Sequence, residues 1–254
     1  MIQRVLAVLA CWVSVSACAA TVTAYNSYLI PPFLYNDQRA GLAPDLVDYL
    51  NLHLPVAYRL RLENVPRARL AKLVLNPQGE KFAGVALFLN PDFVGDNKQQ
   101  RYLWSHPLTG DRNLLVFRAP LPWPMTGLDS LDGLHFSGIY EHQYAALDER
   151  VKAGRVSRED AADEALNLAK VAARRVDFTL LNQSNFQALL KLHRSYADTL
   201  VSLPVPWQKP FNRYILVGRD NSRLLAELNK VIAGMAGDPQ WQQIVRRYGL
   251  LPPH

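Results

Sequence analysis

Only two cysteines occur in the chain, Cys11 and Cys18, and both lie near its amino end. A product beginning at Thr21 therefore contains no thiol, which excludes a disulfide, a thiolate nucleophile and a zinc–thiolate site. Long apolar runs are equally scarce. The longest, Val5 to Val15, is far short of the roughly 20 residues needed to cross a hydrocarbon core, and charges or prolines interrupt every later stretch. The 13 glycines never fall in a phosphate-binding or dinucleotide fingerprint, which argues against a nucleotide cofactor. No Gly-x-Ser-x-Gly elbow and no His-Glu-x-x-His spacing occurs. The net charge of +6 is scattered, without a run of like charge or a basic–aromatic module, so nucleic acid is not an expected partner.

What is present begins with a leader. Arg4 precedes the apolar run, and Ser16, Ala17, Cys18, Ala19 and Ala20 are small, the layout of an export signal over residues 1–20. Two processing readings stay open. Cys18 and Ala20 suit ordinary signal peptidase with Thr21 as the first mature residue, the favoured reading. Val15-Ser16-Ala17-Cys18 also resembles a lipobox with Cys18 as the lipidated residue. Either product is periplasmic. The roughly 230 residues that remain are enough for one large or two small cores.

The mature chain alternates strand and helix signals. Thr21 to Asn26 reads as a strand running into the proline loop Tyr28 to Phe33, and Leu42, Leu46, Val47, Leu50 and Leu54 recur at helical spacing. Leu70, Leu73 and Val74 mark a second helix, and Phe82 to Leu89 a strand buried on both faces. The proline-rich stretch Ala119 to Pro124, following the apolar strand Leu114 to Phe117, is a candidate lobe crossing. A second α/β pattern follows. It comprises a strand at Leu134 to Tyr140, a helix at Gln143 to Ala153, a helix opened at Ser157 by Asp160 in a capping box and running through Ala173, and a strand at Val176 to Leu181. Pro204, Pro206 and Pro210 mark the return, before a strand at Tyr214 to Val217 and helices at Ser222 to Ala236 and Pro239 to Tyr248.

The expected fold is therefore α/β and two-lobed, each lobe a mostly parallel sheet flanked by helices, joined by a two-strand hinge. Residues 21–115 with 206–254 form lobe 1, and residues 116–205 form an inserted lobe 2. A cleft between lobes suits closure on a small polar solute, with contacts at the carboxyl ends of the strands.

Several segments carry a resemblance to a known family. They are Pro31-Pro32-Phe33 with Gly41 and Asp45-Leu46, Trp104-Ser105-His106-Pro107-Leu108, Leu131-Asp132-Gly133-Leu134, Arg175-Val176-Asp177, and the closing helices with Met235, Asp238 and Tyr248. In order and spacing the chain resembles the bacterial family 3 extracellular solute-binding proteins, the periplasmic receptors of polar amino acid ABC importers. The resemblance implies a periplasmic binding protein fold of type II, an amino acid-like ligand and an inner-membrane permease as partner. It also implies an arginine on the ligand carboxylate and an aspartate on its amine. Lys98 stands at the arginine position, with Arg101 four residues before Ser105, and Asn182 stands at the aspartate position. Glu141-His142 replaces the small Gly-Thr pair at the end of the first strand of lobe 2. An amide accepts from an ammonium without neutralising it, so the usual amino acid clamp is altered.

Candidate ligand contacts are Tyr28 and Phe33 as apolar walls, Asn90, Lys98, Arg101 and Ser105 as polar groups of lobe 1, and Tyr140, Glu141, His142, Asn182 and Gln183 from lobe 2. Trp104 is a third aromatic candidate. Metal binding is not expected, because His135 and His142, seven residues apart, would face opposite sides of a strand. No cofactor is expected, and the chain is expected to be monomeric. Two other functions are carried alongside: a periplasmic dehydratase using Glu141 and His142 as an acid–base pair, and a sensory module without transport.

Overall fold

The computed structural model describes residues 20–35, 39–74, 82–121 and 124–254. The expected leader, Cys18 included, lies outside the described residues except for Ala20, and so do Pro122 and Trp123 of the proline-rich stretch. No helix among the described residues is long and apolar enough to cross a membrane.

The first lobe opens with β1 (Ala20–Asn26), α1 (Leu42–His53), β2 (Tyr58–Asn64), α2 (Arg67–Val74), β3 (Val85–Leu89), β4 (Leu103–Trp104) and β5 (Thr109–Asp111). α1 starts at Gly41, whose φ of 143° favours glycine and where a Cβ would overlap the carbonyl oxygen of Phe33. Its apolar stripe, Leu42, Leu46, Val47 and Leu50, is buried. β2 was not expected from the sequence, although Leu60 and Leu62 alternate with Arg59, Arg61 and Glu63 as in a half-buried edge strand.

Asp111 ends the first lobe's hinge strand, and β6 (Asn113–Arg118) already pairs in the second sheet. The change of sheet thus falls at Arg112, earlier than the expected boundary at Leu115. The proline stretch after β6 connects strands inside the second lobe. That lobe continues with β7 (His135–Ile139), α3 (Ala146–Lys152), β8 (Ser157–Ala161), α4 (Glu164–Ala172), β9 (Phe178–Asn182), α5 (Gln183–Leu192), α6 (Ser195–Thr199) and β10 (Leu200–Pro204). The chain returns through residues 205–210 to β11 (Phe211–Val217), α7 (Ser222–Gly234) and α8 (Pro239–Tyr248).

The helix expected from Ser157 is a correction. Residues 157–161 form a strand parallel to β7, and α4 begins later, where the Asp163 carboxylate accepts the N–H of Leu166. The Ser157/Asp160 spacing copied a capping signature by chance; Arg158, Glu159 and Asp160 instead dress a charged sheet edge.

The first sheet has six strands in the order β2-β1-β3-β11-β4, with β5 on β11, and the second has five in the order β10-β6-β9-β7-β8. β1, β2 and β3 are parallel, as are β7, β8 and β9, while the strands arriving from the hinge are antiparallel. Each sheet therefore mixes the two senses. Apolar layers cover both faces of each sheet: Leu46, Leu50, Phe88 and Ile215 belong to one layer of lobe 1, Phe117, Phe136 and Phe178 to one of lobe 2. These rigid cores aim the carboxyl ends of β1, β3, β7 and β9 at the lobe junction.

Candidate functional site

At the end of β1, the buried Asn26 side chain accepts the N–H of Tyr28 (3.1 Å) and donates to the Tyr28 carbonyl and to Asn64. This ties the proline loop to the strand end and fixes the Tyr28 ring. Tyr28 packs on Phe33 at 4.8 Å, and Phe33, 1% exposed, packs on Phe88 at 4.9 Å. Phe33 is thus a core residue with one ring face toward the junction.

That face meets Arg213, which sequence reasoning missed. Its guanidinium lies 4.6 Å from the Tyr28 ring centroid, 4.7 Å from Phe33 and 5.3 Å from Phe211. It donates to Asp111 through Nε (2.9 Å) and Nη2 (2.8 Å), to the Phe88 carbonyl (3.2 Å), and across the junction to Asn182 Oδ1 (2.9 Å). Burial opposes its charge, but the Tyr28 and Asp111 side chains outweigh it and hold its pKa above the ordinary arginine value. Arg213 and Asp111 are each only 1% exposed, so each needs the other.

The second lobe meets this pair with the first turn of α5. Ser184 donates its hydroxyl to Asp111 Oδ2 (2.6 Å) and its backbone N–H to Oδ1 (3.3 Å), and the Gln183 N–H donates to the Arg112 carbonyl. A carboxylate from one lobe therefore sits at the amino end of a helix from the other, where the helix dipole favours it. Asn185, 2% exposed, reaches the Pro31 carbonyl of the proline loop at 2.8 Å. Asn182 also donates to Asn113, which in turn donates to Gln208 of the return segment. A small pocket beside this network is lined from both lobes, by Phe33, Thr109 and Arg213 on one side and Gln183, Ser184 and Gln187 on the other.

Further out, the end of β7 approaches α2. His142 Nδ1 lies 2.7 Å from Arg67 Nη1, and its ring stands edge-on to Tyr144 at 4.4 Å. Burial, with Arg67 and Arg158 nearby, lowers the His142 pKa to about 4, so the ring is neutral and accepts from Arg67. Glu164 opens α4 on the same rim, and burial pushes its carboxyl up.

The remaining candidates fall elsewhere. Asn90 accepts from Asp92 N and donates to the Asn212 carbonyl, and Ser105 is engaged with His106 and the Ile215 backbone, so both side chains are spent within lobe 1. Lys98 is exposed, and Arg101 lies over the Tyr102 ring at 5.5 Å. Their loop is organised by buried Asp96, which accepts from the backbone of Gln100, Arg101 and Tyr102 and from the Trp104 indole. Those hydrogen bonds overcome burial and lower its pKa. Tyr140 and Glu141 are exposed, the latter at a φ of 60°. The structure thus gathers Tyr28, Phe33, Asn182 and Gln183 at the junction and His142 at its rim. It adds Arg67, Asp111, Ser184, Asn185 and Arg213. Among the described residues no group of three or more His, Cys, Asp or Glu is placed to hold a metal ion.

No family model matches the sequence, and no curated protein matches it. Solved structures do. One comes from a study of glutathione import in Gram-positive bacteria via GshT and the cystine ABC importer TcyBC of Streptococcus mutans. It superposes with a TM-score of 0.73 at 14% identity over 92% of this chain and 98% of that one. An ancestral arginine-binding protein bound to arginine gives 0.69 at 14% identity, over 90% and 97%. A histidine kinase sensor domain with similarity to periplasmic binding proteins also gives 0.69, at 17% identity over 92% and 99%. The chain therefore has the two-lobed α/β fold of type II periplasmic binding proteins, a fold that importer receptors and sensor domains share.

Proposed function

We propose that this protein is an exported receptor of the family 3 kind, which closes its two lobes on a small polar, amino acid-like solute and presents the closed form to an inner-membrane ABC permease. One observation carries the reading. Polar groups from separate strand ends of both lobes converge on a single junction and already bond across it, as Arg213 does with Asn182. A solute that touches both sides of such a junction biases the hinge toward closure.

The proposed contacts are Tyr28 as a wall, backed from the core by Phe33 beneath Arg213, Asn182 and Gln183 from lobe 2, and Arg67 with His142 at the rim. Lys98 is exposed and Arg101 lies over the Tyr102 ring, whereas Arg67 bonds His142 of the other lobe, so on this reading a carboxylate would meet Arg67 rather than the family's usual arginine. Calorimetric titration of the solute identified by screening tests the assignment. Asn182→Ala should weaken binding about tenfold or more, the scale of a hydrogen bond to a charged group, while Arg101→Ala should leave affinity within about twofold. The reverse order would return the site to the 98–105 loop.

A sensory role is the second reading, favoured by the sensor domain that superposes over nearly its whole length. A catalytic role fares less well on geometry, because the partner of the His142 ring nitrogen is Arg67, not Glu141.

A further inference from the structure

We infer that Arg213 acts as a built-in ligand, a tethered guanidinium that both lobes coordinate and that holds them closed when no solute is bound. A ligand shifts a hinge only through contacts that differ between open and closed forms. Arg213 meets that condition without being a ligand. From lobe 1 it takes the Asp111 carboxylate, the Phe88 carbonyl and the faces of Tyr28, Phe33 and Phe211. From lobe 2 it takes Asn182 Oδ1, while Ser184 of the same helix turn bonds its counter-ion. Opening would withdraw Asn182, Ser184 and Gln183 together, breaking charge-assisted bonds on both members of a buried ion pair.

The aromatic faces and the carboxylate form the kind of box that holds a free guanidinium or ammonium, and the protein's own side chain already fills it. A solute then acts on an equilibrium that starts on the closed side. The inference concerns the lobes alone and stands whether or not a solute binds, so its failure leaves the proposed function to be judged by titration.

Spin labels at Lys72→Cys on α2 and Leu166→Cys on α4, in the full chain with Cys11 and Cys18 replaced by serine, report the width of the rim by pulsed dipolar spectroscopy. Without solute, the parent should show one short distance. Asn182→Ala should shift the closed-to-open ratio by about tenfold or more toward a longer distance. Arg213→Ala should also open, and millimolar ethylguanidinium should restore its short distance, but not that of Arg213→Ala/Asp111→Asn. A parent that is open without solute overturns the inference, as does an Asn182→Ala protein that stays closed or an Arg213→Ala protein indifferent to ethylguanidinium. Should Arg213→Ala fail to fold, the parent and Asn182→Ala distances decide the matter.

Discussion

Arg213 and Asp111 show how a single buried charge organises the junction. Neither can leave water without the other, and truncating one member of such a pair typically costs about 3–5 kcal/mol. Asp111→Asn, which keeps shape but removes charge, should lower urea-unfolding stability by an amount near that range, whereas Asp129→Asn, at the exposed carboxylate that pairs with Arg150, should change it far less. Arg213 was detectable in principle. In Phe211-Asn212-Arg213-Tyr214-Ile215-Leu216-Val217 it shares a strand face with Ile215 and Val217, and an arginine on an apolar face demands a buried carboxylate. The placement of Tyr28, Asn182 and Gln183 at the junction was legible because they lie at or just beyond strand ends. Lys98 and Arg101 were chosen by alignment to a family position, which says nothing about where the loop turns, and Asp96 turns it.

His142 carries a pH dependence of definite sign. Its pKa is about 4 with the rim closed and returns toward 6.5 when the ring is released. The closed form is favoured fully above about 6.5, loses that advantage progressively as pH falls toward 4, and levels off below. Arg67 and Arg158 oppose protonation, Asp148 and Asp160 favour it, and Tyr144 packs on the ring. The loss should be on the order of 1–3 kcal/mol, read as a fall in the melting temperature between pH 7 and 4.5 that His142→Gln flattens. An identical pH profile for the variant would remove His142 from the rim.

Among the elements, α1, α2, α7 and α8 were readable from apolar periodicity and caps. Asp238 accepts from the Gln240 and Trp241 N–H groups before Pro239-led α8, and Gly249 closes it in the left-handed region. β8 was not readable, because its charged edge pattern mimics a helix start, and the true start is Asp163. Asp163→Ala should therefore cost about 1 kcal/mol of stability, while Asp160→Ala should leave the α4 amides equally protected from exchange. β2 and α5 escaped notice for different reasons. β2 exposes too many charges to stand out, and α5 begins directly at the end of β9 without a turn residue to announce it.

On the scale of the whole molecule, the two-lobed organisation was legible because prolines and alternating α/β signals divide the chain. The crossing itself was not, since Arg112 alone separates β5 from β6 and leaves no turn signature. The lobe contacts were invisible for a deeper reason: they join residues more than 70 positions apart, as in Ser184 to Asp111 and His142 to Arg67 across the junction. A fold this widely shared does not name the solute.

The most direct test is a thermal-shift screen of the protein against amino acids, their amides, polyamines, small carboxylates and peptidoglycan fragments. A ligand at about a hundred times its dissociation constant adds roughly 2.7 kcal/mol of stability. If the receptor reading holds, one class raises the melting temperature, is recovered chemically unchanged, and loses its effect in Asn182→Ala. A hit that is consumed, or a panel in which nothing shifts, would contradict it.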